Sequence, residues 1–357
     1  MGSGGINMAK SKIVVLLLIF IFFTSCTNIS EKRNVVDSEL SNIETTDNLT
    51  KNTTSFFIIQ KENKRGYING NGQIVIDPTF ENAGNFCDGL APVYFNNKHC
   101  FIDTNGKIVI ETEFQGVGEF SEELCVFHIG GPGSGAEYGF IDKSGDIAIE
   151  PIYDFAYGFS EGLAMVVFKG KVGFINKKGE VVIDFKYDSA APFYEGYAKV
   201  EINGKCGFIN KKGEYVVKPD LESAYFFSEG LAYVRLNNKY GFIDNTGTLK
   251  IKLNSDVLAS FSEGLAGVVN DGKLGYIDKN GNLLIQTKFY YGGEFKEGLA
   301  PVKIGKKWGF INKKGEIVIK AKFDKAEEFK NGLAKVYLGK KFGYVDKNGK
   351  YIWQPTE

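Results

Sequence analysis

Histidine is almost absent from this 357-residue chain, which has only His99 and His128. Imidazole-based acid–base or triad chemistry therefore finds few candidates. No G-x-S-x-G, phosphate-loop or H-E-x-x-H pattern occurs either. An excess of one charge is also missing. Lys+Arg and Asp+Glu both number 43, so there is no basic footprint for nucleic acid. Five cysteines, Cys26, Cys87, Cys100, Cys125 and Cys206, are too few for a disulfide-dense scaffold and fit no common zinc spacing. The longest apolar run, Ile13 to Phe23, is shorter than the roughly 18 residues that argue for a membrane span. What the chain does have is 44 Gly, 30 Phe and 18 Tyr. Turn formers and strand-forming aromatics in such numbers point to an all-β protein.

The first residues read as an address. From Met8 a short basic segment, MAKSK, precedes the apolar run and then TSC, with Ser25 directly before Cys26. This three-part pattern is that of a secretory signal peptide over 8–25. Its end resembles the lipobox of bacterial lipoproteins, with Phe23 where such boxes usually have Leu. The resemblance implies a lipidated Cys26 and a location in the bacterial cell envelope, periplasmic or surface-exposed. Residues 27–55 are polar, without aromatics or sustained periodicity, and read with Cys26 as a disordered tether over 26–55. A linker of that length spans on the order of 30 Å.

The remainder, 56–357, repeats itself. The motif of Gly, aromatic, Ile/Val and Asp/Asn begins at residues 66, 139, 173, 207, 241, 275, 309 and 343, with Cys100 opening a further copy, CFID. Successive starts differ by 34 residues except from 100 to 139, where GGPGSGAE (130–137) brings five more. Such a fixed period marks a repeat architecture. Six residues after each start stands a Gly, from Gly72 to Gly349, and Phe recurs from Phe86 to Phe329 ahead of segments such as EGLAYV (229–234). Each unit reads as three short strands: the LAxV segment, the GFID/GFIN segment, and the VxI segment beyond a D/N-x-x-G turn. The next stretch, such as PIYDFAYGFSEG (151–162), reads as an irregular arm whose Phe packs between units. With about nine units and no split unit to close a ring, an open twisted array of three-stranded repeats is expected, and a closed β-propeller is the alternative.

These slots resemble the WG-repeat (KWG) family of bacterial proteins. The hallmark is intact at Lys307-Trp308-Gly309-Phe310-Ile311-Asn312, whereas the Trp slot elsewhere holds residues such as Arg65, His99, Val172 and Leu274. The family implies an all-β repeat, typically secreted or surface-anchored, and supplies no catalytic residues.

Few side chains stand outside the repeat. Acids such as Asp142 and Asp278 recur in turn slots, and turn duty explains them better than one active site would. His99, Cys100, Cys125 and His128 lie in neighbouring units and offer four N/S ligands, but strand alternation sends them to opposite faces, so no metal or other cofactor is expected. A disulfide joining Cys87 to Cys100, or Cys100 to Cys125, is compatible with export. Tyr157, Tyr194, Tyr225, Tyr290 and Tyr291 are out of register and are expected to be exposed along one edge. The resulting expectation is a membrane-tethered scaffold without catalysis, binding a protein or peptide along an extended face. A carbohydrate-binding envelope protein is the second reading and an envelope hydrolase the third.

Overall fold

The computed structural model describes residues 55–131, 135–254 and 257–356. The signal segment 8–25, Cys26 and most of the tether lie outside them. The described chain folds into nine antiparallel sheets in sequence order, eight of four strands and the first of three. The sheets are blades of a closed ring, a nine-bladed β-propeller. The open array of three-stranded units is thereby corrected in both strand count and closure.

Blade 4 shows the unit. Its strands are Phe155–Ala156, Leu163–Phe168, Lys171–Asn176 and Val181–Tyr187, hydrogen-bonded in that order. The first strand is the arm that reads as irregular. Only Phe155 and Ala156 pair regularly, opposite Val167 and Val166, and the chain then bulges before Ser160 bridges Leu163. A two-residue turn comes next, with Glu161 at φ 54° and Gly162 at φ 88°, the left-handed pair that suits a tight hairpin.

The D/N-x-x-G turn between the third and fourth strands is an Asx turn. Asn176 Oδ1 accepts the N–H groups of Lys178 and Glu180 at 3.0 Å each, and Gly179 N donates to Asn176 O. The glycine before the aromatic is demanded by close approach: a β-carbon on Gly207 would lie 2.6 Å from the carbonyl oxygen of Val217. At that point the pairing of the third and fourth strands shifts register, Cys206 facing Leu221 but Phe208 facing Val217. Blade 2, which has Cys100 in the glycine slot, pairs without that shift, Cys100 opposite Glu111.

The core lies between blades. The third-strand aromatic of one blade packs on the first-strand Phe of the next: Phe140 on Phe159, Phe174 on Phe193, Phe208 on Phe227 and Phe310 on Phe329, with ring centroids 4.7–5.0 Å apart. These rings are 3% exposed or less, so each joint buries a pair of aromatics, and full burial of one is worth roughly 1.5–3 kcal/mol. Fourth-strand isoleucines pack beneath the turn glycine of the next blade, Ile183 under Gly213 for example.

Contacts of a similar kind join the last blade to the first, with a residue of the strand Phe57–Lys61 in place of a first-strand Phe, which is why the ring is closed. Tyr344 packs on Phe57 at 5.3 Å and donates its hydroxyl to Ile58 O at 2.8 Å. Ile352 lies against Gly72, and Phe57, Ile59, Ile68, Leu333 and Tyr344 form one buried cluster. No strand is exchanged between the ends among the described residues. Side-chain packing makes the seam.

The inner segments of neighbouring blades are hydrogen-bonded to each other. The hydroxyls of Ser121, Ser160, Ser228 and Ser262 donate to the carbonyls of Phe159, Phe193, Phe261 and Phe295 at 2.5–2.7 Å. Fourth strands instead expose aliphatic pairs such as Val181 and Val182. Blades converge at the axis and splay at the rim, so the first strands line the axis.

Candidate ligand-binding surface at the ring axis

Strand direction sorts the loops onto two faces. The Glu-Gly and Asx turns share one face; the turns between second and third strands share the other with the blade-to-blade links. On the turn face the carboxylates tie the ring together. Glu161 accepts the N–H of Gly196 in the next blade at 2.9 Å, Glu229 that of Gly264, Glu263 that of Gly298 and Glu297 that of Gly332. Lysines of the Asx turns complete each latch: Lys211 reaches Glu161, and Lys313 reaches Glu263 at 3.0 Å. Burial pushes the Glu263 carboxyl up, but Lys313 and the backbone N–H donors outweigh it and hold the group below the usual carboxylate range. Repetition from joint to joint identifies these acids as structural.

The axis wall breaks the repeat. The slot just before each first-strand Phe holds Asn85, Glu119, Phe226, Glu294 and Glu328 in five blades and small residues or Pro in the others. Side chains in this slot meet across joints, since Glu119 Oε1 accepts both the backbone N and Nδ2 of Asn85 at 2.9 Å. Glu294 is largely enclosed, and burial lifts its carboxyl above the usual range; Lys296 at 3.2 Å opposes this, while Glu328 adds to it. On blades 5 and 6 the wall is aromatic, Tyr194 meeting Phe226 edge to face with centroids 5.9 Å apart. Blades 5 and 6 stand across the ring from the arc carrying Glu328, Asn85 and Glu119. One side of the axis thus offers ring faces and the other offers carboxylates and an amide.

The five out-of-register tyrosines are exposed as expected, from 39% at Tyr157 to 56% at Tyr291. They do not form one edge. Tyr194 stands beside the Glu195 turn, whereas Tyr157, Tyr225, Tyr290 and Tyr291 precede their blade's Phe and sit toward the linking face. Lys273 lies over the Tyr290 ring at 3.1 Å, and Tyr225 packs near Tyr233. Trp308, Gly309 and Phe310 serve the fold: Gly309 and Phe310 are buried, and Trp308 packs half-buried against the blade 8 core.

The four-ligand cluster does not assemble, and no group of three or more metal-ligating side chains occurs among the described residues. Cys100 and Cys125 are buried free thiols in the cores of separate blades, so neither expected disulfide forms. Burial holds His99 below the usual imidazole range, a bond with the Gln115 backbone opposes this, and His128 lowers it further. His99 borders a shallow recess of about 310 Å³ with Tyr94, Lys98, Glu113 and Gln115. The signal that sequence reading missed was the axis slot, where Glu, Asn and Phe interrupt an otherwise regular repeat.

Comparison with known proteins accords with this geometry. The chain matches the WG-containing repeat over residues 66–98, 101–131, 138–171, 173–206, 207–240, 240–273, 275–308 and 308–342. The chain belongs to the WG-repeat family. No curated protein matches it. Among solved structures, one described as a eukaryotic initiation factor is similar over 83% of this chain and 94% of its own, at 12% identity and a TM-score of 0.61. At that identity the likeness concerns the fold alone. A surface component of the type-IX secretion system of Porphyromonas gingivalis, PorZ, matches over 75% of this chain and 45% of its own, at 10% identity and a TM-score of 0.31. A WG-repeat β-structure of this kind suits a binding or scaffolding protein.

Proposed function

We propose that this protein is an exported, lipid-tethered, non-catalytic ring that binds glycans of the bacterial cell envelope at its axis. The observation that carries the reading is the axis wall, where the Tyr194–Phe226 pair faces an arc of Glu119, Asn85 and Glu328. Sugars present an apolar C–H face that stacks on aromatic rings and hydroxyls that donate to carboxylate and amide oxygens. Concave sites with apolar walls and few convergent polar groups are where such ligands are held. A peptide scaffold acting along an extended face required an open array, and ring closure removes that face. The MAKSK–apolar–Ser25-Cys26 pattern supports export and lipidation, and the scarcity of histidine supports binding without turnover.

The test is a glycan-array screen of the full chain in detergent, followed by calorimetry on the best hit. Phe226→Ala, which removes a half-buried ring, should weaken binding at least about tenfold, from a loss of roughly 1.4 kcal/mol or more. Tyr291→Ala, away from the wall, should leave it unchanged. A screen without a glycan hit, or a hit indifferent to Phe226→Ala, would refute the reading. Hydrolysis of the glycan abolished by Glu294→Gln would replace it with the hydrolase.

A further inference from the structure

The linking face has its own ladder across the joints. Where one blade leads into the next, an acid in the link pairs with a lysine 17 residues earlier: Glu81 with Lys64, Asp188 with Lys171, Asp324 with Lys307. The lysine is the first cause holding Asp188 and Asp324 below the usual carboxylate range, so these pairs keep their charge far into acid. The joint between blades 2 and 3 departs from this rule. Seventeen residues after Lys98 stands Gln115. Lys98 turns instead to Glu113 at 2.7 Å and Glu111 at 3.9 Å.

Both histidines of the chain are at this joint, on adjacent residues of the link. His99 is bonded to the Gln115 backbone. His128 lies against Gly116, with no room for a β-carbon beside its Nε2, and its carbonyl accepts the Gln115 N–H at 3.1 Å. Gln115 Oε1 accepts the N–H of Gly130 at 3.0 Å, which ties the link to the hairpin of blade 3. The ring of Tyr94 packs on His99 at 5.0 Å and that of Tyr138 on His128 at 5.2 Å. The charges packed around the pair are Lys98, offset by Glu113 and Glu111, and Glu137 at the start of the next strand. His128 Nδ1 is buried without a hydrogen-bond partner among the described residues. A charged imidazole carries a proton on both nitrogens, and here one of them would meet no acceptor. The neutral pair therefore suits the closed joint.

We propose that the joint between blades 2 and 3 is a pH-responsive hinge, closed while His99 and His128 are neutral and loosened when both are protonated. The direction follows from His99. Burial, and then the field of His128, outweigh its bond to Gln115, so the folded joint binds a proton less readily than the unfolded chain does. Stability is kept above the ordinary histidine value of 6.5 and is lost as pH falls from there through the lower folded value. The Lys–Asp joints do not titrate in that window. Loosening reaches the axis, because Glu119 accepts the N–H groups of Asn85 across this same joint. Acid thus splits the arc assigned to glycan binding; that consequence rests on the reading above, whereas the hinge does not.

Two measurements on the full chain in detergent micelles test this. Hydrogen exchange, corrected for intrinsic rates, is compared between about pH 7.5 and about pH 5. Amides of Gly116–Ser121 should lose at least about threefold of their protection in acid relative to Leu163–Phe168 in blade 4, and His99→Gln should remove most of that loss. Magnetic resonance of the two imidazoles, on the unaltered chain, should place the His99 midpoint below 6.5, and His128→Asn should raise it. A purely structural role for His128 would leave that midpoint where it was. Protection that is constant with pH, or that falls equally in blade 4, would overturn the proposal. So would a His99 midpoint at or above 6.5, or one indifferent to His128→Asn.

Discussion

A carboxylate enclosed beside another carboxylate is an expense that folding tolerates only where something else gains. Glu294 is that residue here, lifted by burial and by Glu328 and relieved in part by Lys296. Its folded-state affinity for a proton exceeds that of the unfolded chain. The protein therefore gains stability below the ordinary glutamate value of 4.5 and loses it as pH rises through the higher folded value. Glu294→Gln should flatten that decline and raise the denaturation midpoint at pH 7, measured by urea titration across pH 4 to 8. A midpoint lowered equally at every pH would show that the carboxylate acts through hydrogen bonding alone. At this scale the sequence was only partly legible. Turn glycines and buried Phe slots stood out because they repeat. Glu119, Glu294 and Glu328 stand among regular turn acids and differ from them only by their slot ahead of the Phe.

The first strand is the element that sequence reading missed. In blade 4 its regular pairing covers two residues, Phe155 and Ala156, before the bulge, too short for the alternation that marks a strand. The Phe beyond it was legible as a packing residue, and the structure adds its partner, the third-strand aromatic of the preceding blade. Ring closure alters the energetic weight of that packing. In an open array Phe329 would belong to a fraying end; here Leu333 of the same blade shares a cluster with Phe57 and Tyr344. Phe329→Ala should thus cost about as much as Phe227→Ala, roughly 3–5 kcal/mol for a buried Phe. Tyr225→Ala, at a position 41% exposed, should cost far less. Chemical denaturation of the three variants decides the ranking. A Phe329→Ala loss well under half that of Phe227→Ala would mean that the seam carries little load.

At the scale of the whole molecule, the 34-residue period and the all-β class could be read directly, whereas closure could not. The contact that closes the ring joins Tyr344 to Ile58 across 286 residues and leaves no local pattern. Nor does a split unit announce it among the described residues, where Tyr344, Phe57 and their neighbours pack across the seam. The proposed anchor also belongs to this scale. Cys26→Ser should move the protein from the membrane to the soluble fraction after cell breakage, with loss of lipid mass at the N-terminus. Unaltered membrane partition would show that something other than Cys26 holds it there.

The carboxylate latches have a further consequence. Each one reaches only to the glycine of the next blade, 35 to 40 residues along, and always in the same sense around the ring. No joint depends on how many others there are. Duplicating or losing one whole repeat would therefore leave every surviving joint chemically intact and alter only the bore at the centre. The five extra residues of blade 3 fall in sequence between its second and third strands, Leu124–Ile129 and Glu137–Ile141. A lineage could in this way tune the width of its central opening by copying a stretch of gene, without inventing a new interface.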